Sequence, residues 1–172
     1  DKVMQRLIKS YKGNLTSRNN FFYSLTRSII SQQISVSAAD SVFSRFEKKC
    51  KGKINPKSVS KLLISDLRKC GLSRMKAIGI KSLAEKILNK SFQPKLIKNM
   101  TDEEAIVYLS SLRQIGRWSS EMVLIFFYNR PNIWPIQDIG LLRAISNNYN
   151  KKYFPPESYV KYLNKKFSPY CS

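Results

Sequence analysis

Residues 109–143 have the sequence LSSLRQIGRWSSEMVLIFFYNRPNIWPIQDIGLLR, and this stretch decides the fold. It predicts the end of one helix, a tight hairpin over residues 113–116, and a very apolar helix from about Arg117 to Tyr128. A loop bounded by prolines follows, and a lone acidic residue, Asp138, then precedes a third helical run. The pattern therefore predicts two helices joined by a hairpin, with one carboxylate a short distance downstream.

The predicted hairpin suits the binding of a phosphate. Gly116 lies where the chain must turn sharply into a helix N-terminus, and glycine tolerates positive φ and lets a backbone approach closely. The first N–H groups of the following helix lack partners within the helix, so they can hold an anion. Arg113 and Arg117 add positive charge beside them. The alternative interpretation is an ordinary turn between two helices.

The charge of the chain favours a polyanionic partner. Its 172 residues include 31 Lys and Arg against 11 Asp and Glu, which gives a net charge of +20. A charge that large steers a protein towards nucleic acid. A basic protein with no nucleic-acid role is one alternative. Membrane-surface binding is another, although the basic residues are scattered and not gathered on one amphipathic helix.

Metal and disulfide chemistry find little support in the sequence. The three cysteines, Cys50, Cys70 and Cys171, are odd in number and far apart, and the chain has no histidine. Without a C-x-x-C motif, neither a zinc site nor a disulfide scaffold is indicated. The sequence shows no signal peptide and no apolar run of membrane-spanning length, so we expect a reducing, cytoplasmic compartment.

Helical periodicity extends through the rest of the chain, and no strand-like alternation is found, so the predicted class is all-α. The length suits one compact domain or two small lobes that share a core. N-caps are predicted at Ser37, Ser73 and Thr101, the last forming a capping box with Glu104. The cations of the helix after Ser73 are predicted to form a solvated face; they are Arg74, Lys76, Lys81 and Lys86.

Polar residues at two joints have competing interpretations. Gln32 and Gln33 interrupt the helical pattern, and their amides suit contact with exposed base edges, although a solvated polar turn is the alternative. Asp138 is well placed to cap the next helix. It is also the leading candidate for a catalytic carboxylate. Glu121 is the rival acid, but we interpret it as a structural partner for Arg117.

Four blocks of sequence, taken in order, resemble the helix-hairpin-helix DNA glycosylase superfamily, most closely its 3-methyladenine (alkyladenine) DNA glycosylase II branch. The blocks are Ile29–Asp40, Cys70–Ile87, Leu112–Trp118 and Pro135–Leu141. The resemblance covers nearly the whole chain. It implies two small helical lobes with the active-site cleft between them, formed by a single glycosylase domain over residues 1–172. The helix-hairpin-helix would occupy about 101–129 and the catalytic segment 134–149. Family members continue with one more helix, which leaves open a truncation at the C-terminus.

The resemblance also implies an activity. It predicts a monofunctional DNA glycosylase of base excision repair, which flips an alkylated purine (3-methyladenine or 7-methylguanine type) out of duplex DNA. Asp138 would then promote hydrolysis of the glycosidic bond and leave an abasic site. Trp118 lies where strand-cleaving relatives carry a lysine that attacks the sugar, and tryptophan cannot do so. The alternatives are a glycosylase for deaminated or oxidised bases and a catalytically silent DNA-binding module.

The resemblance assigns DNA contacts to eight residues: Gln32, Gln33, Arg113, Gln114, Ile115, Gly116, Arg117 and Ser119. Gln33 would be the wedge that fills the gap left by an extruded base. Gln114 departs from the family, which usually has a second glycine there, so the hairpin geometry is in question. A monovalent cation, Na+ or K+, is expected at main-chain carbonyls of the hairpin, those of Ser110, Leu112 and Ile115. No iron–sulfur cluster or other cofactor is implied.

An aromatic pocket is expected to stack on the extruded base. Its candidates are Phe22, Trp118, Tyr128 and Trp134, whereas Phe126 and Phe127 are expected in the core. Trp118 has the alternative of packing against Met122. The expected partner is double-stranded DNA containing damaged bases, bound by a monomer without membrane association. The expected location is the bacterial cytoplasm at the nucleoid, or the nucleus of a eukaryote.

Overall fold

The computed structural model describes residues 1–13 and 20–172, and over these residues the chain is helical with no β-strand. The elements, in chain order, are α1 (Lys2–Ser10), α2 (Phe21–Ser31), α3 (Val36–Lys49), α4 (Pro56–Ser60), α5 (Ile64–Lys69), α6 (Arg74–Leu88), a 3-10 helix (Pro94–Asn99), α7 (Asp102–Ser110), α8 (Arg117–Phe126), α9 (Ile139–Asn148) and α10 (Glu157–Phe167). The all-α prediction is confirmed. The sequence also predicts that Gly13 and Asn14 end the first helix; Asn14 lies outside the described residues.

Buried apolar side chains form two separate clusters, which define two lobes. The larger cluster joins α2 to α8 and includes Leu25, Ile80 and Leu124, all fully buried. The smaller cluster is centred on Ile145 of α9 and Val160 of α10. Because apolar burial is the main force that holds helices together, each lobe is a packing unit of its own. The predicted two-lobed architecture is confirmed.

The first helix is tied to the small lobe by polar contacts. The Asp1 carboxylate accepts hydrogen bonds from Lys166 Nζ at 2.7 Å and from the Tyr149 hydroxyl at 3.2 Å. Arg6 Nη2 donates to Asn148 Oδ1 at 3.1 Å. The start of the chain therefore lies against the helices that end it.

Local side-chain chemistry sets most helix starts. Thr101 Oγ1 accepts from Glu104 N–H, and the Glu104 carboxylate accepts from Thr101 N–H at 2.8 Å, so the predicted capping box is confirmed. Ser73 caps α6, also as predicted. The predicted cap at Ser37 is wrong, because Ser35 Oγ accepts from Ala38 N–H and α3 begins one residue before Ser37.

The solvated cationic face predicted for α6 is wrong at two positions. Lys81 Nζ donates to the carbonyls of Ser60 and Leu62, at 3.1 and 2.7 Å, and so closes the end of α4. Lys76 makes a similar pair of bonds to the carbonyls of Ile30 and Gln32. A long lysine stem can run along apolar surface while its ammonium reaches a polar group, which helical periodicity does not reveal.

The helix-hairpin-helix positions the rest of the site. α7 and α8 pack against each other across the hairpin, and α2 packs against both α6 and α8. The turn between α2 and α3 is thereby brought next to the hairpin. Asp138 begins α9 at the junction of the two lobes.

Candidate active site

Asp138 is held by a hydrogen bond on each carboxylate oxygen. Oδ1 accepts from the N–H of Leu141 at 2.7 Å, which caps α9, and Oδ2 accepts from Trp118 Nε1 at 2.8 Å. The two interpretations of Asp138, helix cap and catalyst, are therefore compatible, because one oxygen caps while the other is held at the cleft. Two fixed donors restrict rotation of the carboxylate, as a preorganised catalytic group requires.

The cleft at Asp138 is assembled from three separate parts of the chain. It has a volume of about 460 Å³. Gln32 and Gln33 come from the turn after α2, and Gly116 from the hairpin. The remaining lining residues are Trp118, Ser119, Gln137, Asp138 and Ile139. Because Asp138 begins α9 and the other parts belong to the large lobe, the cleft lies between the two lobes, as predicted.

Trp118 lines this cleft and also a second, smaller cavity. The second cavity has a volume of about 170 Å³ and lies between α2 and α8. Its walls are Ser24, Arg27, Ser28, Ser31, Trp118, Met122, Val123, Phe126 and Phe127. Trp118 thus presents its N–H to Asp138 and its ring to an apolar pocket, so a stacking role and packing beside Met122 are compatible.

Three of the four aromatic residues predicted for the base pocket lie elsewhere. Phe22 is 3% exposed and belongs to the core of the large lobe. The Tyr128 hydroxyl donates to the carbonyl of Pro94 at 2.8 Å. Trp134 packs on the core of the small lobe. Of the four, only Trp118 lines the pocket, and the prediction is wrong for the others.

The aromatic side chains that do line the pocket were assigned to the core from sequence. The predicted helix continued to Tyr128, but α8 ends at Phe126. The N–H groups of Phe127 and Tyr128 both bond to the carbonyl of Val123, so the chain leaves helical geometry there. Phe126, the last residue of α8, and Phe127 line the pocket, whereas Tyr128 does not. Phe127 also packs against the core of the large lobe, as predicted.

The hairpin presents an uncapped helix N-terminus. Gly116 is the N-cap residue of α8, and no side chain caps this end. The backbone of Gly116 is extended, and a Cβ built on it would meet nothing within 4 Å, so a ligand can approach this backbone closely. The left-handed residue of the hairpin is Gln114, with φ at 67°, and not Gly116 as the sequence argument implied. A glycine-type turn is therefore kept despite the substitution at Gln114.

The two hairpin arginines are in different environments. Arg113 is exposed. Arg117 Nε donates to Glu121 Oε1 at 3.0 Å, and its Nη1 donates to Glu103 Oε2 at 3.0 Å. The predicted pairing of Glu121 with Arg117 is confirmed. The Arg117 guanidinium, assigned to DNA contact from sequence, is occupied by two carboxylates, which leaves its main-chain N–H as the group at the hairpin.

Glu121 is unsuited to the role of cleft acid. Its side chain is 4% exposed, and it does not line the cleft at Asp138. Burial raises the pKa of this carboxyl, while Arg117 acts in the opposite direction. It lines a different cavity, shared with Trp134 and Lys165.

The adjacent glutamines have divided roles. Gln32 Nε2 donates to the carbonyl of Gln114 at 2.8 Å and to Ser119 Oγ at 2.9 Å. Its amide, assigned to DNA contact from sequence, therefore joins the α2–α3 turn to the hairpin, and Ser119 is 2% exposed. Gln33 is exposed, lines the cleft, and has φ at 56°. The wedge role assigned to Gln33 from sequence stays a prediction.

The described residues contain neither a metal-binding cluster nor a membrane-spanning helix. No group of three or more His, Cys, Asp or Glu side chains among them could hold a metal ion. No helix among them is long and apolar enough to span a bilayer. In the hairpin, the Leu112 carbonyl accepts from Ile115 N–H at 3.1 Å and keeps a second lone pair.

Comparison with known proteins identifies relatives across nearly the whole chain. The family described as HhH-GPD superfamily base excision DNA repair protein matches residues 26–169. DNA-3-methyladenine glycosylase 1 of Schizosaccharomyces pombe is 30% identical over 175 residues, which cover 99% of this chain and 75% of the relative. A second protein of the same yeast, the alkylbase DNA glycosidase-like protein mag2, is 31% identical over 85% of this chain and 70% of its own length.

The fold matches a solved protein–DNA complex. The structure of Schizosaccharomyces pombe 3-methyladenine DNA glycosylase with abasic DNA superposes with a TM-score of 0.87 at 28% identity. The match covers 99% of this chain and 86% of that one. The present chain thus has the fold of that DNA glycosylase.

Proposed function

Because this chain belongs to the HhH-GPD superfamily of base excision DNA repair proteins, we propose that it is a monofunctional DNA glycosylase that hydrolyses the glycosidic bond of N-alkylated purines in duplex DNA. The observation that carries the proposal is the Asp138 carboxylate, held by Trp118 Nε1 at 2.8 Å in the cleft between the lobes. Relatives named as 3-methyladenine glycosylases support the alkylated-purine class.

The chemistry needs one carboxylate and water. The bond between the sugar C1′ and the purine nitrogen breaks, and its electron pair leaves with the base. The positive charge that develops on the sugar is stabilised by the Asp138 carboxylate. Water then adds its oxygen to C1′ and loses a proton, which Asp138 accepts or passes to solvent. A ring-alkylated purine is cationic before it leaves, so its departure needs no general acid.

Three further features support this chemistry. The uncapped N-terminus of α8 offers N–H groups to a DNA phosphate, with exposed Arg113 beside it. Gln33, at the cleft mouth, would fill the space of the extruded nucleotide. Trp118 would stack on an electron-poor base, with Phe126 and Phe127 behind it. Trp118 also occupies the position at which strand-cleaving relatives carry lysine, so no Schiff base with the sugar can form from this position.

The monovalent cation, the lack of any other cofactor and the monomeric state are also proposals. The hairpin carbonyls of Ser110, Leu112 and Ile115 would hold Na+ or K+, which would draw a phosphate oxygen towards the α8 N-terminus. No other cofactor is needed for hydrolysis, and one chain supplies every group invoked above, so a monomer would act. Affinity for duplex DNA in K+, compared with the bulky cation tetramethylammonium at the same ionic strength, tests the cation site; equal affinities would overturn it.

The test of the function is base release from duplex DNA carrying N-methylated purines, followed by alkali to cut abasic sites. Asp138→Asn should slow release by about 100-fold or more, because one stabilising group is lost from the transition state. Glu157→Gln, which removes the same charge from an exposed ion pair on α10, is the matched control and should release base at the wild-type rate. Strand breaks should require alkali.

Other outcomes would contradict the proposal. Breaks that form without alkali would indicate a strand-cleaving enzyme. Release of deaminated or oxidised bases in place of alkylated ones would indicate another lesion class. Tight DNA binding without any release would favour a silent DNA-binding module, an alternative kept open by the relative named only as glycosidase-like.

A further inference from the structure

The C-terminus of α2 is closed by a lysine from a distant helix. The last carbonyls of a helix lack partners within it. Lys76 Nζ of α6 donates to the carbonyl of Ile30 at 2.9 Å and to that of Gln32 at 2.6 Å. A cation at a helix C-terminus also complements the helix dipole. The carbonyl of Gln32 immediately precedes Gln33, and that of Ile30 lies two residues earlier.

Gln32 is fixed at both its main chain and its side chain. Lys76 holds its carbonyl, while its amide Nε2 donates to the Gln114 carbonyl and to Ser119 Oγ. The next residue, Gln33, has φ at 56°, a left-handed conformation that is strained for a residue other than glycine. Such a conformation persists only where surrounding contacts impose it. The contacts of Gln32 are the ones that surround this turn.

α6 also touches the hairpin directly. Gly79 lies one turn after Lys76, and a Cβ at this position would come within 2.8 Å of Gln114 Cγ and 3.2 Å of the Arg113 carbonyl oxygen. The backbone of α6 therefore packs against the hairpin, as its lysine packs against the α2–α3 turn. Three connections result: Lys76 to the turn, Gly79 to the hairpin, and Gln32 between turn and hairpin.

We propose that Lys76 is a positioning residue for base extrusion, which holds the Gln33 turn at a fixed distance from the hairpin. The proposal rests on the function given above, in which the hairpin grips a phosphate while Gln33 enters the space of the departing base. The hairpin and Gln33 must contact the same nucleotide at the same time, so the distance between them has to be set before DNA binds. Lys76 does not line the cleft at Asp138, and it acts through Gln33.

Lys81 provides a matched control on the same helix. Its Nζ also donates to two main-chain carbonyls, those of Ser60 and Leu62, but it lies away from the cleft. Lys76→Met and Lys81→Met therefore remove the same charge and the same number of bonds from α6. Both should lower the thermal unfolding midpoint by similar amounts and weaken non-specific DNA binding equally. If Lys76→Met fails to fold, Lys76→Gln, which keeps a shorter donor, takes its place.

Extrusion is read from the fluorescence of 2-aminopurine placed beside an N-methylated purine in duplex DNA. Lys76→Met should lower the extruded fraction about tenfold or more, as expected when a positioning contact is lost. Lys81→Met should leave it unchanged. Single-turnover release should fall for Lys76→Met on a fully paired duplex and recover when the base opposite the lesion is missing, because weakened pairing lowers the cost of flipping.

A double-mutant cycle identifies the route of action. In a Gln33→Ala background, Lys76→Met should have little further effect on the extruded fraction, since coupled residues are not additive. Equal extruded fractions for the Lys76→Met and Lys81→Met proteins would overturn the proposal. So would slow base release by Lys76→Met that persists on the weakened duplex, or a further loss of extrusion when Lys76→Met is added to Gln33→Ala.

The two proposals fail in distinguishable ways. If wild-type protein extrudes the N-methylated purine without releasing it, the glycosylase function fails while the variant comparison still decides the role of Lys76. If wild-type protein releases base and the two lysine variants give the same extruded fraction, the glycosylase function is supported and the proposed role of Lys76 is overturned. If wild-type protein neither extrudes nor releases, both proposals are overturned.

Discussion

Asp138 illustrates what spacing can and cannot decide about a single residue. A carboxylate placed just before a helical run predicts an N-cap, and the structure has that cap, with Leu141 N–H as donor. Spacing alone does not predict the second bond, from Trp118, because that residue lies 20 positions away on another helix. The contact that turns a helix cap into a candidate catalyst is tertiary. Only the family resemblance pointed to it from sequence.

Thr26 carries a buried hydroxyl without a partner. Its side chain is 0% exposed, and no described group bonds to Oγ1. Burying an unpaired hydroxyl opposes folding, so Thr26→Val, which keeps the shape and removes the hydroxyl, should raise the free energy of unfolding by about 1 kcal/mol. Urea unfolding measures the change. A lower unfolding midpoint for Thr26→Val would contradict the assignment of this hydroxyl as unpaired.

Gln114 holds a conformation that glycine adopts without strain. Its φ of 67° should make Gln114→Gly stabilising by up to about 1 kcal/mol, the order of the left-handed penalty less the entropy of a freer unfolded chain. The change should also leave DNA affinity intact, since the hairpin backbone is already of the glycine type. Thermal unfolding and a DNA titration check the two expectations. Destabilisation would mean that the contact of Gln114 with Gly79 outweighs the strain.

Helix starts were predictable where the determinants are adjacent in sequence. The Thr101 and Glu104 box and the Ser73 cap each involve residues within four positions of one another, so the pattern contains all the needed information. The roles of Lys76 and Lys81 were not predictable. Their partners lie 19 to 46 positions earlier, and helical periodicity describes the face of a residue but not the reach of its side chain.

The start of α7 should be sensitive to pH through Glu104. Hydrogen bonds from Thr101, first from its backbone N–H, hold the pKa of this carboxyl below its ordinary value of 4.5. A lowered folded-state pKa stabilises the folded protein above the unfolded-state pKa, and that stabilisation is lost as the pH falls through the folded-state value. Glu104→Gln should therefore lower the thermal midpoint at pH 7, by an amount that shrinks as the pH falls towards 3.

The matched control for the pH dependence is Glu157. Its carboxyl also has a lowered pKa, but the cause is the side chain of Lys161 and not a helix cap. Glu157→Gln should show the same direction of pH dependence with a smaller change at pH 7, because exposed ion pairs contribute little. A Glu104→Gln penalty that is equal at both pH values would show that the carboxylate charge is not what stabilises the start of α7.

At the scale of the whole molecule, the net charge of +20 indicates a polyanionic partner but not which cations meet it. In the structure, the cationic side chains differ in the groups that they contact. Lys76 and Lys81 bind carbonyls, and Arg117 lies between Glu103 and Glu121. Arg113, beside the uncapped end of α8, is exposed. Of these four cations, Arg113 is therefore the one best placed to neutralise a phosphate.

The salt dependence of DNA binding measures how many phosphates the protein neutralises. For duplex DNA, the slope of log affinity against log salt is about 0.9 per neutralised phosphate. Arg113→Ala should therefore reduce the slope by about 0.9. Arg117→Ala, the matched variant four residues away, should change it less, because this guanidinium is already neutralised by two carboxylates. Titrations of one undamaged duplex at several salt concentrations give both slopes. Equal changes would mean that Arg117 leaves its glutamates for the DNA, and an unchanged slope for Arg113→Ala would remove this residue from the phosphate contact.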